Sequence, residues 1–494
     1  MTETTIAHHI GGAAHGAGAS GRTAPVYDPA LGREQRRVLL AAAADVDAAV
    51  QAAKHAFESW QDVSVVRRAR VMFKFRDLVE RHTDELARIV SSEHGKTIDD
   101  AKGEIVRGME VVEYACGIAE LTKGAFSDQV STGVDAHGFR QPLGVCAGIT
   151  PFNFPVMVPM WMHPVAIATG NTFVLKPSER DPSASNLIAE LYVQAGLPAG
   201  VFNVVHGDKA AVDALLEHPD VAAVSFVGST PIARYVPERA SAAGTRVQAL
   251  GGAKNHAVVL PDADLDYAVD QLIAAGYGSA GQRCMAVAVA VAVGDVGDAL
   301  VERLRAKALE IKLGAGDQPD TEMGPVVTAA ARDRIVGYIA GTSARIVVDG
   351  REPGIDGDGF WVGPTLLDDV TTDMDVYRDE IFGPVLAVTR VPTLDAAIEL
   401  INANPFANGT ALFTGSGAAA RTFQRRVHVG MIGINVPIPV PMSFYSFGGW
   451  KQSLFGDHHM HGPEGVRFYT RAKAVTTRWP QTREQASMHF PTAR

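Results

Sequence analysis

Short apolar runs alternate with helical segments between residues 145 and 243, and this pattern restricts the fold more than any other feature of the chain. The candidate strands lie at 145–149, 172–175, 201–205 and 221–227, and the helical segments at 158–168, 183–195, 210–216 and 232–243. Strands that alternate with helices at this spacing form βαβ units on a parallel sheet. The sequence therefore predicts an α/β fold with a ligand in the loops at the carboxyl ends of the strands.

A second α/β region begins near Leu250. An alternating apolar run at 285–293 predicts a strand. Helical periodicity predicts helices at 296–311, 329–341, 394–402 and 418–427, and, before the first region, at 45–60, 65–91 and 98–121. Two polar alternating stretches, 126–141 and 467–479, predict a hairpin and an edge strand outside the main cores.

Both ends of the chain have a different character. The first 20 residues are rich in Gly, Ala and His and are predicted to form a loose arm, and the last 15 residues a tail. The arm contains a formal match to the dinucleotide-binding fingerprint at Gly16–Gly21. We reject this match because it follows no predicted strand and opens no predicted helix.

Composition narrows the classes of function. The 494-residue chain is 47% apolar with a net charge of −10, which is typical of a soluble globular protein and argues against nucleic-acid or membrane-surface binding. Three cysteines without disulfide-type spacing, no secretory signal and no long apolar run predict a cytoplasmic protein. No metal is expected either, because the cluster of His458, His459 and His461 fits a solvent-facing loop.

The loops after the predicted strands carry candidate binding groups. Gly228-Ser229-Thr230 precedes a helix, whose first N–H groups can hold a phosphate. Lys176 and Glu179 follow another strand, where Glu179 can accept hydrogen bonds from a ribose and would repel a 2′-phosphate, which favours NAD over NADP. Each loop taken singly also fits ordinary turn chemistry and helix capping.

Cys284 is the candidate nucleophile. It lies between a glycine-rich bend and the apolar run at 285–293, beside the fixed charge of Arg283, which predicts an exposed thiol with a lowered pKa. These residues alone leave open a buried structural cysteine, the commoner fate of a free thiol. Arg107 lies among apolar positions of a predicted helix and needs either an anionic partner or a route to solvent.

Six short motifs, taken together, resemble the aldehyde dehydrogenase superfamily. They are ITPFNFP (149–155), LKPSE (175–179), FVGST (226–230), LGGAKN (250–255), GQRC (281–284) and EIFGP (380–384). Three further segments, RVQALGGAKNHAVVLPDA, AGQRCMA and NVPIPVP, are similar to its CoA-acylating methylmalonate-semialdehyde (malonate-semialdehyde) dehydrogenases. The resemblance covers nearly the whole chain, and six motifs in order are far more specific than any one alone.

The resemblance implies a role for each matching residue. Cys284 is the implied nucleophile, and Asn153 with the backbone N–H of Cys284 the implied oxyanion hole. Arg107 and Arg283 are the implied pair that receives a substrate carboxylate. The implied NAD-binding residues are Thr150, Phe152, Lys176, Glu179, Arg180, Ser229, Gly251 and Glu380.

The resemblance also implies a domain organisation. The implied fold is α/β and aldehyde dehydrogenase-like, with a Rossmann-type NAD-binding domain at 1–124 and 143–249 and an α/β catalytic domain at 250–445. A small β oligomerisation element at 125–142 and 446–494, which includes the tail, implies a homodimer or homotetramer.

One departure from the family pattern bears on the mechanism. Hydrolytic members carry a glutamate at the start of the E-L-G-G-K segment, where it activates water, and an ungapped alignment through Lys254 puts Leu250 there. Sliding the alignment by one residue would put Ala249 or Gly251 there, and neither of these is a base. Leucine cannot accept a proton, so coenzyme A is expected to discharge the acyl enzyme. The expected reaction is NAD-dependent oxidative decarboxylation of methylmalonate or malonate semialdehyde to propionyl-CoA or acetyl-CoA. A hydrolytic dehydrogenase that releases a free acid, and a non-catalytic protein with the same fold, stay open as alternatives.

Overall fold

Two large sheets, both mainly parallel, form the centres of two α/β units. The structure, a computed structural model, describes residues 5–16 and 18–479. The strands before residue 251 are β1 (Thr5–Ile6), β2 (His8–Ile10), β3 (Ala13–His15), β4 (Thr23–Asp28), β5 (Arg33–Leu39), β6 (Ala125–Ser131), β7 (Val134–Pro142), β8 (Val145–Ile149), β9 (Thr172–Lys176), β10 (Phe202–Val204), β11 (Val221–Val227) and β12 (Arg246–Leu250). The later strands are β13 (Asn255–Val259), β14 (Val287–Val293), β15 (Arg345–Val348), β16 (Thr365–Asp368), β17 (Val385–Val391), β18 (Phe406–Ala407), β19 (Gly409–Phe413), β20 (Met431–Ile434), β21 (Trp450–Lys451), β22 (Leu454–Phe455) and β23 (Thr470–Arg478).

The helices surround these sheets. In the first half of the chain they are α1 (Ala43–Trp60), α2 (Val65–Arg81), α3 (Thr83–His94), α4 (Ile98–Cys116), α5 (Ile118–Leu121), α6 (Met157–Ala168), α7 (Ser183–Gln194), α8 (Lys209–Glu217) and α9 (Thr230–Ala242). In the second half they are α10 (Leu265–Tyr277), α11 (Gly297–Glu310), α12 (Ala329–Gly341), α13 (Asp375–Arg378), α14 (Leu394–Ala403), α15 (Gly417–Arg426) and α16 (Gly462–Phe468). Within the described residues, no helix is both long and apolar enough to cross a membrane.

The first sheet has the order β22-β12-β11-β8-β9-β10-β2-β3, and its five central strands are parallel. The chain passes from β8 to β9 and β10 on one side and then returns to β11 on the other. The strand order therefore reverses between β8 and β11, the place where open parallel sheets bind ligands beyond their carboxyl ends.

Alternate residues of this sheet enter two separate cores. Cys146 and Phe173 pack with α2, α4, α6 and α7 on one face, whereas Val145, Ala147 and Val174 pack with α1, α8 and α9 on the other. A parallel sheet covered on both faces needs apolar residues at every position, which explains the continuous apolar runs of β8 and β9.

The second sheet has the order β15-β16-β17-β14-β13-β19-β20 and is parallel except for β15. It shares one core with α10, α11 and α14. Residues 251–254 connect β12 of the first sheet directly to β13 of the second, so the chain crosses between the two units at this short segment.

A separate three-stranded antiparallel sheet has the order β23-β7-β6. It confirms the predicted hairpin and edge strand. Most of β6 is exposed, including Phe126 and Val130.

The structure corrects several predictions of local structure. The helix predicted at 65–91 is two helices that meet at His82. The N-terminal arm predicted to be loose contains β1–β3, and β2 pairs with β10 of the first sheet. The stretch around His461 is not solvent-facing throughout, because His461 is buried against the ring of Trp161. The predicted tail lies outside the described residues.

Candidate active site

A cleft of about 430 Å³ lies between the two α/β units. The carboxyl ends of β8 and β11 contribute one wall, and the segments that precede β13, β14 and β17 contribute the other. The cleft therefore lies at the carboxyl ends of the first sheet's strands, as predicted. In the second sheet it lies at the amino ends of the strands. Of the residues predicted for the site, those that line the cleft are Phe152, Asn153, Arg180, Ser229, Gly251, Cys284 and Glu380.

A left-handed turn brings Cys284 to this cleft. After α10, the residues Ser279, Ala280 and Gly281 have φ values of 53°, 51° and 68°. Such values cost free energy for residues with a Cβ. At Gly281 a Cβ would overlap the carbonyl oxygen of Gly383, so glycine is required there. Because of this turn, β14 begins at Val287, and Cys284 stands three residues before the strand.

Two buried amides hold the Cys284 backbone. Asn255 donates from Nδ2 to the carbonyl oxygens of Cys284 (2.9 Å) and Ala286 (3.0 Å), and Asn408 donates to the same Cys284 oxygen (3.2 Å). The Asn255 Oδ1 atom accepts from the Gly409 N–H at 3.0 Å. The position of this candidate nucleophile is thus tied to β13 and β19 in the second sheet.

Desolvation raises the pKa of the Cys284 thiol to about 12. Glu380 adds to this effect by repelling the thiolate, while the N–H groups of Cys284 and Met285 and the charge of Arg283 oppose it. The prediction of a lowered pKa is therefore wrong. Arg283 has the smallest of these effects, and its guanidinium forms an ion pair with Asp100 of α4.

Glu380 is held at the cleft by the segment that joins the two sheets. Its Oε1 atom accepts from the Ala253 N–H at 2.8 Å, and a Cβ on Gly252 would overlap its Oε2 atom. Desolvation raises the pKa of Glu380 to about 7, although the Ala253 N–H and Lys254 oppose the shift. Lys254 also binds the backbone of the Glu380 loop, donating to the carbonyl oxygens of Val376 (2.8 Å) and Asp379 (2.7 Å).

Asn153 follows β8 and is buried at the cleft. A side-chain amide beside a thiol provides an N–H donor for the oxygen of a bound carbonyl group. The cleft thus combines a candidate nucleophile with a candidate oxyanion donor.

The residues predicted to bind NAD are divided between the surface of the cleft and buried positions behind it. Ser229 is exposed and precedes α9, and its hydroxyl caps no N–H of that helix in the described structure. The Arg180 guanidinium lies 5.0 Å from the centroid of the Phe152 ring.

Three other predicted residues do not line the cleft. Lys176 is buried, and its ammonium group donates to the carbonyl oxygen of Gly207 (2.6 Å). The same group forms an ion pair with the Glu179 Oε2 atom at 3.3 Å. Thr150 is also buried, and its hydroxyl has no hydrogen-bond partner among the residues that the structure describes.

The two predicted carboxylate-binding arginines do not line the cleft either. Arg107 forms an ion pair with Glu110 (2.7 Å) and donates to the carbonyl oxygens of Val440 (3.2 Å) and Pro441 (3.0 Å). Its guanidinium thus binds the proline-rich loop that follows β20. Both arginines have a carboxylate partner on α4. Asp100 and Arg107 are seven residues apart and so share one face of that helix, about 10 Å apart along its axis.

Leu250 is buried at the end of β12 and packs in the first unit's core. It does not line the cleft. Of the described residues that do, Glu380 alone carries a carboxylate. The absence of a glutamate at position 250 therefore leaves one candidate for a general base.

Sequence reasoning assigned no role to several residues of this site. Gln282 and Arg334 line the cleft, and Gln282 accepts from the Val327 N–H at 3.1 Å, which ties the nucleophile loop to the start of α12. Gln282 and Asn255 stood within recognised motifs, but no local signal marked Arg334 or Asn408. No group of three or more His, Cys, Asp or Glu residues suited to a metal ion occurs in the part of the chain that the structure describes.

Comparison with known proteins places these features in a family context. A family model described as "Aldehyde dehydrogenase family" matches residues 17–475. The chain is 54% identical to the malonate-semialdehyde dehydrogenase of Pseudomonas aeruginosa, with 96% of this chain and 97% of the relative covered.

Two solved structures are similar over nearly their whole length. The methylmalonate-semialdehyde dehydrogenase of Oceanimonas doudoroffii has a TM-score of 0.95 and 54% identity, with 97% of this chain and 99% of the other covered. A Sinorhizobium meliloti protein complexed with NAD, provisionally named a methylmalonate-semialdehyde dehydrogenase, has a TM-score of 0.96 and 51% identity at the same coverage.

The raised thiol pKa leads to a prediction about alkylation. The rate at which iodoacetamide alkylates Cys284 should rise about tenfold per pH unit and still be rising above about pH 10, because the thiolate is the reactive form. Glu380→Gln removes a repulsive charge and should speed alkylation severalfold at about pH 8 to 9, where the carboxylate is ionised.

Glu190→Gln, which alters an exposed carboxylate on α7, is the matched control and should leave the rate unchanged. Mass spectrometry of the modified peptide confirms the site. A wild-type rate that levels off below about pH 9 would show an ordinary or lowered pKa and contradict this account.

Proposed function

The chain belongs to the aldehyde dehydrogenase family, and on that premise we propose that it oxidises malonate and methylmalonate semialdehydes with NAD and transfers the acyl group to coenzyme A. The products are acetyl-CoA or propionyl-CoA, CO2 and NADH. The observation that carries acyl transfer to a thiol is the buried Leu250, at the position where hydrolytic members have a glutamate.

The cleft fits a dinucleotide. Gly251 and Gly252 leave main chain at its surface, and a Cβ on Gly251 would lie 2.7 Å from the carbonyl oxygen of Gln452. The free Ser229 hydroxyl at the start of α9 suits a pyrophosphate, and Arg180 suits the adenosine side. We assign Thr150, Lys176 and Glu179 to the support of this half and Glu380 to the nicotinamide ribose. NAD, when bound, accepts a hydride from the substrate carbon.

The Cys284 thiol loses its proton to solvent, and the resulting thiolate attacks the aldehyde carbon and forms a thiohemiacetal. Asn153 and the Cys284 N–H donate to its oxyanion, and loss of hydride from the former aldehyde carbon leaves a thioester on Cys284. The carboxylate β to the thioester carbonyl then departs as CO2, and the electron pair of the broken bond enters an enolate that the same donors stabilise. Protonation of the enolate gives the acetyl or propionyl enzyme.

Attack by the coenzyme A thiolate on the acyl carbon expels Cys284 and completes the cycle. A thiol needs less help from a base than water does, because part of it is ionised near neutral pH. Hydrolysis is the second candidate, and one observation favours it: a carboxyl with a pKa near 7, such as Glu380, is suited to general-base catalysis. However, the Ala253 N–H donates to that carboxylate and holds it against residues 251–254, which join the two sheets.

The domain boundaries and the assembly are part of the proposal. Residues 1–124 and 143–249 form the NAD-binding domain, 250–445 the catalytic domain, and 125–142 with 446–494 the oligomerisation elements. The exposed strand β6 and the exposed Trp479 support association into a homodimer or homotetramer. Three free cysteines support a cytoplasmic location.

Turnover with and without coenzyme A tests the proposal. With semialdehyde and NAD, we expect steady NADH formation and acetyl-CoA or propionyl-CoA when coenzyme A is present. Turnover should be at least about tenfold slower when it is absent, because Glu380 is the one carboxylate among the described residues that line the cleft. Equal turnover in both conditions, with a free acid as product, would establish the hydrolytic alternative.

The arginine assignment leads to a separate prediction. We assign Arg107 and Arg283 to the substrate carboxylate, which each guanidinium would bind by exchanging its carboxylate partner on α4 for the substrate. Arg107→Gln and Arg283→Gln should then each raise KM for malonate semialdehyde by about tenfold to a hundredfold, because each removes a charge-assisted hydrogen bond to the substrate carboxylate. Propanal, which has a methyl group in place of the carboxylate, is the control substrate, and its KM should change little. Equal changes for both substrates would refute the assignment.

A further inference from the structure

We propose that the buried ion pair of Lys96 and Glu104 positions Asn153. It keeps the Asn153 side-chain amide directed at the adduct that the substrate carbonyl group forms with the Cys284 sulfur. The inference rests on the proposed role of Asn153 as oxyanion donor. Neither Lys96 nor Glu104 lines the cleft, so both act through Asn153 and its loop.

Lys96 holds the main chain of Asn153. Its ammonium group donates to the Asn153 carbonyl oxygen at 2.7 Å and pairs with the Glu104 Oε2 atom at 2.6 Å. It also lies 4.5 Å from the centroid of the Phe154 ring. The Lys96 side chain is 1% exposed and that of Glu104 is not exposed at all, so water does not compete for these contacts.

Glu104 holds the other end of the same loop. Its Oε1 atom accepts from the N–H groups of Val156 (2.8 Å) and Met157 (3.1 Å), at the start of α6. Val156 is the N-cap residue of α6, and in the described structure no side chain of its own caps the helix. A carboxylate from α4 thus satisfies N–H groups that would otherwise be unpaired and complements the helix dipole.

The two contacts enclose the short segment from Asn153 to Met157. The Asn153 carbonyl is fixed at one end and the first N–H groups of α6 at the other, which leaves the Asn153 side chain on the cleft face of the loop. Buried ion pairs add little net stability compared with apolar residues of similar size. The contribution of this pair is instead a defined geometry, because its two members bind both ends of one loop. Here the geometry they define is that of the oxyanion donor.

A double-mutant cycle separates positioning from general stability. Lys96→Met and Asn153→Ala, alone and combined, are compared by the stopped-flow rate of the first NADH turnover at saturating semialdehyde and NAD. Each single variant should slow this rate by about tenfold to a hundredfold, and the double variant should be no slower than Asn153→Ala alone, because Lys96 acts through Asn153.

Two readouts should not change in Lys96→Met: the Kd for NAD and the rate of iodoacetamide alkylation of Cys284. Neither process develops an oxyanion, whereas a collapsed site would alter both. Lys96→Met/Glu104→Gln removes both charges and serves if Lys96→Met alone does not fold. The matched control is Arg390→Met, which breaks the pair of Arg390 with buried Asp368 at the second sheet and should lower Tm without slowing the first turnover.

The outcomes distinguish the two proposals. One outcome is that Asn153→Ala slows the first turnover and that adding Lys96→Met to it slows the rate further by the same factor as Lys96→Met alone. In that case Lys96 acts independently of Asn153, and the positioning role is overturned. Loss of NAD binding or of alkylation in both Lys96 variants also overturns it, because the pair is then a general structural element. If Asn153→Ala itself has no effect, Asn153 is not the oxyanion donor. That part of the proposed function is then wrong, and the positioning role falls with it.

Discussion

Two main-chain carbonyl groups, held by buried donors, set the geometry on which this site depends. The Cys284 carbonyl accepts from Asn255 and Asn408, and the Asn153 carbonyl accepts from Lys96. The first anchor belongs to the second sheet, while the second ties the loop after β8 to the Lys96–Glu104 pair. The candidate nucleophile and the candidate oxyanion donor therefore line the same cleft, each held by a different α/β unit.

The short segment at 251–254 joins these units and also supplies the surface between them. Gly251 and Gly252 line the cleft, Ala253 binds Glu380, and Lys254 fixes the Glu380 loop. A side chain at Gly252 would displace Glu380, so the glycine follows from the close approach of the two units. At the neighbouring position, Leu250 belongs to the core and brings no second carboxylate to the cleft.

Local patterns predicted much of the fold. Strand β11 and helix α12 have the bounds that periodicity indicated, and the motif loops after β8 and β11 do meet at the cleft. Features that depend on contacts between residues far apart in sequence could not be predicted from local patterns. The sign of the Cys284 pKa shift follows from tertiary burial and from the charge of Glu380, which is far from Cys284 in sequence. The link from Lys96 to Asn153 spans 57 positions, and no local signal announces it.

The central claim is that the acyl group stays on Cys284 as a thioester until the thiol of coenzyme A removes it. Mass spectrometry of the protein after mixing with methylmalonate semialdehyde and NAD, without coenzyme A, tests it most directly, with Cys284→Ala as the control. We predict one propionyl group on the peptide that contains Cys284, formed with CO2 release, stable until coenzyme A is added and then recovered as propionyl-CoA. Unmodified protein that nevertheless forms NADH over many turnovers and releases a free acid would contradict the account.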